Sequence, residues 1–229
     1  MGIRRGSITT PIISDGLIIN HDAANRASYI PNAITTRNTI DLSQTGTFVN
    51  SPTFVSSTPS WDFDGTDTSI NCGDYEMNAF RGFAVEAWFK SDSTNSASRR
   101  IVSKDQVGVA GAWILWTDGS DLKFQAYDGG WVTATYSAYS EDSNWHHVIA
   151  ATSGDRIGLY LDGVKVAFAS DFGSLDDADN EVIAIGADSD TSSPEHVWNG
   201  QIANVRVYNR GLEESEILHN YNALKGRFE

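Results

Sequence analysis

Apolar residues recur at alternate positions in short runs along almost the whole chain. "FAVEAWFK", "LKFQAY", "RIGLYLD", "VKVAFA" and "QIANVRVY" show this alternation most openly. "GLIIN", "RIVSK", "AWILW", "WVTATYS", "HHVIAAT" and "EVIAIG" are as short and as rich in β-branched and aromatic residues, which suit a pleated, half-buried surface. Clusters of Gly, Asp, Asn and Ser separate the runs. Many short strands with turn signals between them predict an all-β sandwich or barrel.

Only one segment carries a helical period. "LEESEILHNYNAL", from Leu212 to Leu224, sets Ile217, Leu218, Tyr221 and Leu224 on one side. Its early Glu213, Glu214 and Glu216 suit the positive end of a helix dipole. A short C-terminal helix docked on the sandwich is expected. Ala23 to Ser60 reads as long loops with short strands. Residues 1–15 are polar, basic and interrupted by Pro11, so they read as an N-terminal arm ahead of a single domain over residues 16–229.

The stretch "NWHHVIAATSGDRIGLYLDGVKVAF" contains the strongest local signal. Asp162-Gly163 between two apolar runs predicts a two-residue type I′ hairpin, because that turn needs positive φ at both central residues. Alternation then brings Ile157, Leu159, Leu161, Val164, Val166 and Phe168 onto one face as a core wall. Adjacent His146 and His147 on a strand point to opposite faces and do not readily ligate one ion. Zinc spacings such as HExxH or CxxC are absent. One histidine is expected to pack inside with a backbone partner while the other faces out.

Composition narrows the classes. With 229 residues and 40% hydrophobic content the chain can bury a full core. Its net charge of -14 argues against nucleic acid and against anionic lipid across the main body. Cys72 is the only cysteine, so no internal disulfide forms, and a buried thiol is expected. No apolar run reaches transmembrane length, so no membrane insertion is expected. The first residues lack the apolar region and cleavage site of a secretory signal.

At this point several pieces resemble the laminin G-like domains of the concanavalin A-like superfamily, in family order. "WHHVIAATSGDRIGLYLDGVKVA" is similar to their signature hairpin, "FDGTDTSINCGD" to an early strand and turn, and "FAVEAWFKSD" to the strand carrying their recurring Trp, here Trp88. "RIVSKD", "VIAIGAD" and "WNGQIANVRVYNRGLEESEI" resemble the following and closing elements. The resemblance implies a jelly-roll sandwich of two antiparallel sheets with one short C-terminal helix, and binding rather than catalysis. "GLIINHDAANRASY", "TIDLS" and "FVNSPTF" resemble the opening of such domains in bacteriophage structural proteins. Glu213 stands where the family usually has Ser or Thr, which implies a weaker helix cap.

Enzymes of this superfamily resemble one another in acidic residues alternating on one strand as ExDxE, which aligns an acid and a nucleophile across a glycosidic bond. This chain lacks that pattern. Glu86 stands alone in its strand, Glu141 and Asp142 are adjacent, and Asp62 and Asp64 run into a glycine turn. There is no GxSxG elbow and no phosphate-binding glycine loop. A non-enzyme is expected.

Two places could hold a ligand. Tyr127, Asp128 and Trp131 flank an Asp-Gly-Gly turn, where rings can stack on a sugar and a carboxylate can accept its hydroxyls; packing of Trp131 against a neighbouring loop is the alternative. The acidic loops "SDFGSLDDADNE" and "GADSDTSSPEH" carry Asp188 and Asp190 among others. Calcium takes about six to eight oxygens and clustered Asp can supply several; a solvated acidic surface is the alternative, and no cofactor is required. Of the tryptophans, Trp61, Trp88, Trp113, Trp116, Trp145 and Trp198 fall in or beside strands and are expected to be mostly core.

These readings converge on a virion surface protein, a decoration, fibre or appendage component made without a secretory signal. A host glycan or cell-surface receptor and other virion proteins are the expected partners, and self-association is left open. Arg4 and Arg5, with Ile8, Ile12 and Ile13 filling pockets on a neighbour, are the expected attachment device; an ordinary frayed terminus is the alternative. A free extracellular carbohydrate-binding or adhesion module is the second reading, and a glycan hydrolase the third.

Overall fold

The computed structural model describes residues 11–75, 82–92, 97–105, 111–175, 181–189 and 193–229. Two antiparallel sheets of eight strands each lie face to face. The first contains β1 (Leu17–Asp22), β4 (Thr53–Val55), β5 (Ser60–Asp64), β7 (Ala84–Ser91), β12 (His146–Ser153), β13 (Arg156–Leu161), β14 (Val164–Ala169) and β16 (Asn199–Tyr208). Its order is β14-β13-β12-β7-β16-β5-β4. The early half of β16 pairs β5 and its later half pairs β1. The second sheet contains β2 (Thr35–Arg37), β3 (Thr45–Val49), β6 (Ser69–Asp74), β8 (Arg99–Lys104), β9 (Trp113–Thr117), β10 (Leu122–Tyr127), β11 (Trp131–Tyr136) and β15 (Val182–Ile185). Its order is β11-β10-β9-β8-β15-β6-β3-β2.

Between the sheets lies one core, with Trp61, Phe63, Phe89, Trp113, Phe124 and Trp198 sealed from solvent. Cys72 is a free, buried thiol within it. The outer face of the first sheet is covered as well. Helix α1 (Glu214–Leu224) and a following 3-10 turn (Lys225–Arg227) end the chain. A second apolar cluster of Ala84, Ile149, Tyr160, Tyr208, Leu212 and Ile217 forms there. This explains why β7 is buried on both faces although its sequence alternates: Val85, Ala87 and Phe89 face the core, and Ala84, Glu86 and Trp88 face outward.

The helix buries a different stripe from the one its period suggests. Ile217 and Asn220 are buried, whereas Leu218 is exposed. Asn220 turns inward because polar groups wait for it on the sheet. The Glu213 cap is also stronger than a missing Ser or Thr implies, since the Glu216 carboxylate accepts the Glu213 N–H at 3.0 Å and Arg210 grips that carboxylate with both terminal nitrogens.

The Asp162-Gly163 turn has the expected positive φ values, 51° and 79°. Beyond it the core wall is corrected. Leu161 opposes Val164, but Leu159 opposes Ala167, because Val166 is an extra residue in β14. This bulge reverses the side-chain alternation. Ile157 and Leu159 are buried, Ala167 and Ala169 take the inner positions, and Val164 and Phe168 stand exposed.

His146 and His147 face opposite ways as expected, yet neither relies on a backbone partner. His147 Nε2 lies 3.1 Å from Glu86 Oε1 under the helix. His146 bridges Asp162 Oδ2 at 2.8 Å and Asp142 Oδ1 at 3.1 Å. Three carboxylates, Glu86 for His147 and Asp162 and Asp142 for His146, account for this pair of imidazoles.

Candidate functional site

At one end of the sandwich a cleft of about 470 Å³ opens among four chain segments. They are the approach to β7 at Gly82, the β12–β13 turn at Ser153 and Gly154, the loop after β14 at Phe172 to Ser174, and the approach to α1 at Gly211 to Glu213. Glycine lets these backbones come close. A Cβ on Gly211 would sit 2.0 Å from the Thr152 carbonyl oxygen, and one on Gly82 would sit 2.2 Å from Thr152 Oγ1. The Thr152 hydroxyl accepts the Phe83 N–H at 2.8 Å and donates to the Phe83 carbonyl at 3.2 Å, which fixes the wall. Phe172 and Leu212 supply buried apolar surface, and Ser153, Ser174 and Glu213 stand exposed around it.

The β10–β11 hairpin tip is tied to this cleft. Asp128 Oδ2 accepts the Gly173 N–H at 2.5 Å. Tyr127 and Trp131 are direct cross-strand partners, with ring centroids 5.4 Å apart and planes at 73°. Trp131 is 37% exposed, the only tryptophan among the described residues that is classed with the exposed large hydrophobics. The three residues singled out in the sequence therefore stand together, on a tip hydrogen-bonded to the cleft wall. One Asp128 oxygen is already committed to that bond. The edge-to-face ring pair presents apolar surface and the cleft presents hydroxyls and backbone groups, which is the chemistry a sugar requires.

Asp188 lies elsewhere and does not fit a calcium ligand. Its side chain is 7% exposed, with Oδ1 held by Arg100 Nε at 2.5 Å and Oδ2 3.6 Å from His196. A cation there would face a guanidinium. Asp190, and Asp176, Asp177 and Asp179 of the other acidic loop, lie outside the described residues, and among the described residues no three His, Cys, Asp or Glu side chains gather closely enough to hold a metal.

Ile12 and Ile13 are also placed differently from an arm that fills a neighbour's pockets. Both pack on the chain's own second apolar cluster. The Ile13 N–H donates to Asn220 Oδ1 at 2.9 Å, the Ile13 carbonyl accepts from Tyr208 at 3.2 Å, and the Pro11 carbonyl lies 2.8 Å from His219 Nε2. Arg4, Arg5 and Ile8 lie outside the described residues.

Glu86, Asp64 and Glu141, among the acidic residues weighed for catalysis, have structural roles. Buried Glu86 accepts from Arg206, His147, Tyr208 and Asn220. Burial pushes its carboxyl up, but Arg206 and His147 outweigh that and hold it at about 2, so it does not supply a proton near neutral pH. Asp64 Oδ1 accepts the N–H groups of Thr66 and Asp67 and the Thr68 hydroxyl, organising the turn after β5. Glu141 is buried against the Thr117 hydroxyl at 2.8 Å. Sequence reasoning missed the glycine-lined cleft and the Glu86–Arg206 pair. The available signals were turn glycines at each segment end and two opposite charges inside otherwise apolar strands.

The chain belongs to the concanavalin A-like lectin/glucanases superfamily, whose family profile matches residues 64–218. No curated protein matches it by sequence. Among solved structures it is similar to the binding domain of botulinum neurotoxin serotype D, at 14% identity and a TM-score of 0.66, over 91% of this chain and 52% of that one. The binding domain of Paraclostridial Mosquitocidal Protein 1 is similar at 14% identity and a TM-score of 0.69, with the same coverages. The carbohydrate-binding module CBM40 of a Ruminococcus gnavus sialidase is similar at 13% identity and a TM-score of 0.55, over 69% of this chain and 94% of that one. At these identities the likeness defines the fold. The chain spans about half the length of the toxin binding domains it matches.

Proposed function

We propose that this chain is a non-catalytic glycan- or receptor-binding module, with its ligand seated between the Tyr127–Trp131 pair and the glycine-lined cleft. The observation that carries the reading is the Asp128–Gly173 bond, which couples exposed Trp131 and its half-buried partner Tyr127 to a cleft about as large as a small-molecule site. The lining has hydroxyls and a carboxylate but no lysine or arginine, so an uncharged sugar suits it better than an acidic one. Support of a general kind comes from relatives in the fold: one is described bound to α2,3-sialyllactose, and a botulinum neurotoxin DC binding domain in complex with rat synaptotagmin II.

The finer reading places the module on a virion surface, as a decoration, fibre or appendage component. It rests on the resemblance of the opening segments to bacteriophage structural proteins. In this reading Arg4 and Arg5 contribute to attachment. A glycan array tests the binding function: the wild-type chain is expected to retain neutral oligosaccharides, and Trp131→Ala to lose them while melting at an unchanged temperature. Absence of any binding, or equal binding by the variant, overturns the assignment. Incorporation into particles tests the virion role separately.

A further inference from the structure

A second surface lies on the far edge of the sandwich, around β2. Ile30, Ile34, Ile40 and Leu42 are 67%, 71%, 50% and 54% exposed, half of the exposed large hydrophobics among the described residues. Ile30 and Leu42 line a cavity of about 190 Å³ together with Arg26 and Arg37. Both arginines are exposed, and neither forms an ion pair among the described residues. In a chain of net charge -14, two unpaired guanidinium groups sharing a cavity with exposed aliphatics run against the overall composition.

The patch is rigidly built. Ile30 opens a turn closed by the Ala33 N–H to the Ile30 carbonyl at 3.0 Å, with Pro31 and Asn32 at its centre and Asn32 at φ 73°. The Arg37 N–H donates to the Ser28 carbonyl at 2.7 Å, and the Ser28 hydroxyl donates back to the Arg37 carbonyl at 2.7 Å. Beneath, Tyr29 is buried against Phe48, Phe54 and Trp61, with centroids 5.0 to 5.8 Å away. Of the acids in these segments, Asp41 folds back onto Ser43, whose hydroxyl and N–H it accepts, and Asp22 is held by Arg227.

We propose that this edge docks on the headgroup layer of an anionic lipid bilayer. Guanidinium groups complement phosphate, and flanking aliphatics complement the upper acyl region. A second copy is a poorer occupant, because a two-fold contact of this patch with itself would gather four unpaired guanidinium groups in one interface. Bonding of another strand to β2 is also poorly served, since the Ser28 segment already covers Arg37. The acidic body does not prevent docking: at physiological salt the Debye length is about 8 Å, so charge deeper in the sandwich is screened from a bilayer touching the edge.

The test is sedimentation of the full chain with vesicles of phosphatidylcholine alone and with added phosphatidylglycerol. Binding is expected only with the anionic lipid. The Arg26→Gln/Arg37→Gln variant should bind about thirtyfold more weakly, from roughly 1 kcal/mol per basic residue near the surface, and the charge-reversed Arg26→Glu/Arg37→Glu variant more weakly still. Ile30→Ser/Leu42→Ser should weaken it independently of salt. Each side chain is exposed, so melting temperatures should match the wild type and separate docking from misfolding. No binding to anionic vesicles, equal binding by the charge-reversed chain, or loss of a soluble dimer as the only effect of the variants would overturn the proposal. Glycan-free vesicles keep this result apart from the cleft.

Discussion

Arg206 Nη1 lies 2.6 Å from Glu86 Oε1, with both side chains sealed between the first sheet and the structure that covers it. Arg206 also meets Asn20 at 3.1 Å and Asp22 at 3.6 Å, and Asp22 receives both terminal nitrogens of Arg227 at 3.1 Å. A line of alternating charge therefore joins β7, β16, β1 and the end of the chain. Removing one partner leaves the other charged and buried. Glu86→Leu and Arg206→Met are each expected to cost about 3–5 kcal/mol, and the double variant Glu86→Leu/Arg206→Met less than the sum. Urea unfolding of the four chains measures this coupling.

The same carboxylate sets an acid limit. The folded Glu86 is held at about 2, below its ordinary value of 4.5. Its contribution is complete above the ordinary value and is lost as pH falls towards about 2. Melting temperature should decline through this window, and the decline should flatten in Glu86→Gln.

His146 works in the opposite direction. Burial lowers its pKa, but Asp162 and then Asp142 outweigh that and raise it above 6.5. The stabilisation is complete below 6.5 and disappears as pH rises through the raised value. A slope in melting temperature on the alkaline side of 6.5 is expected, and His146→Gln should lack it. The imidazole's own NMR titration fixes the midpoint; a midpoint below 6.5 would contradict the geometry.

Two glycines near the cleft should respond differently. Gly211→Ala forces its Cβ against the Thr152 carbonyl, and a loss of about 1–3 kcal/mol is expected. A Cβ on Gly130 meets nothing within 4 Å, so Gly130→Ala should be neutral or slightly stabilising. Thermal melts of both separate close approach from a general demand for glycine.

Deletion of residues 2–14 should lower stability, because it removes the packing of Ile12 and Ile13 and the bonds to Asn220, Tyr208 and His219. Deletion of residues 2–10 spares all of these and should melt like the full chain. Equal melting of the two truncations would show that the docked segment contributes nothing.

Alternation, turn chemistry and the order of family-like segments made the sandwich and the terminal helix legible, because these features follow from neighbours in sequence. The Asp162-Gly163 turn is the clearest case. What escaped depends on distant partners. Nothing local marks Val166 as a bulge, Asn220 as the buried face of a helix, or Asp188 as the mate of Arg100. Tyr127, Asp128 and Trp131 could be grouped from one hairpin, whereas the cleft beside them needed four segments separated by long stretches of chain.

The Val166 bulge also bears on solubility. β14 is the last strand in its sheet's hydrogen-bonded order and carries exposed Val164 and Phe168. A flat, regular strand with such side chains is a template on which other molecules can stack into aggregates. The extra residue breaks the spacing of backbone donors and acceptors along that margin and twists it, with Lys165 adding a charge. The bulge thus makes this apolar outer strand a poorer template for pairing, and a chain shortened by Val166 would carry the same residues on a more regular margin.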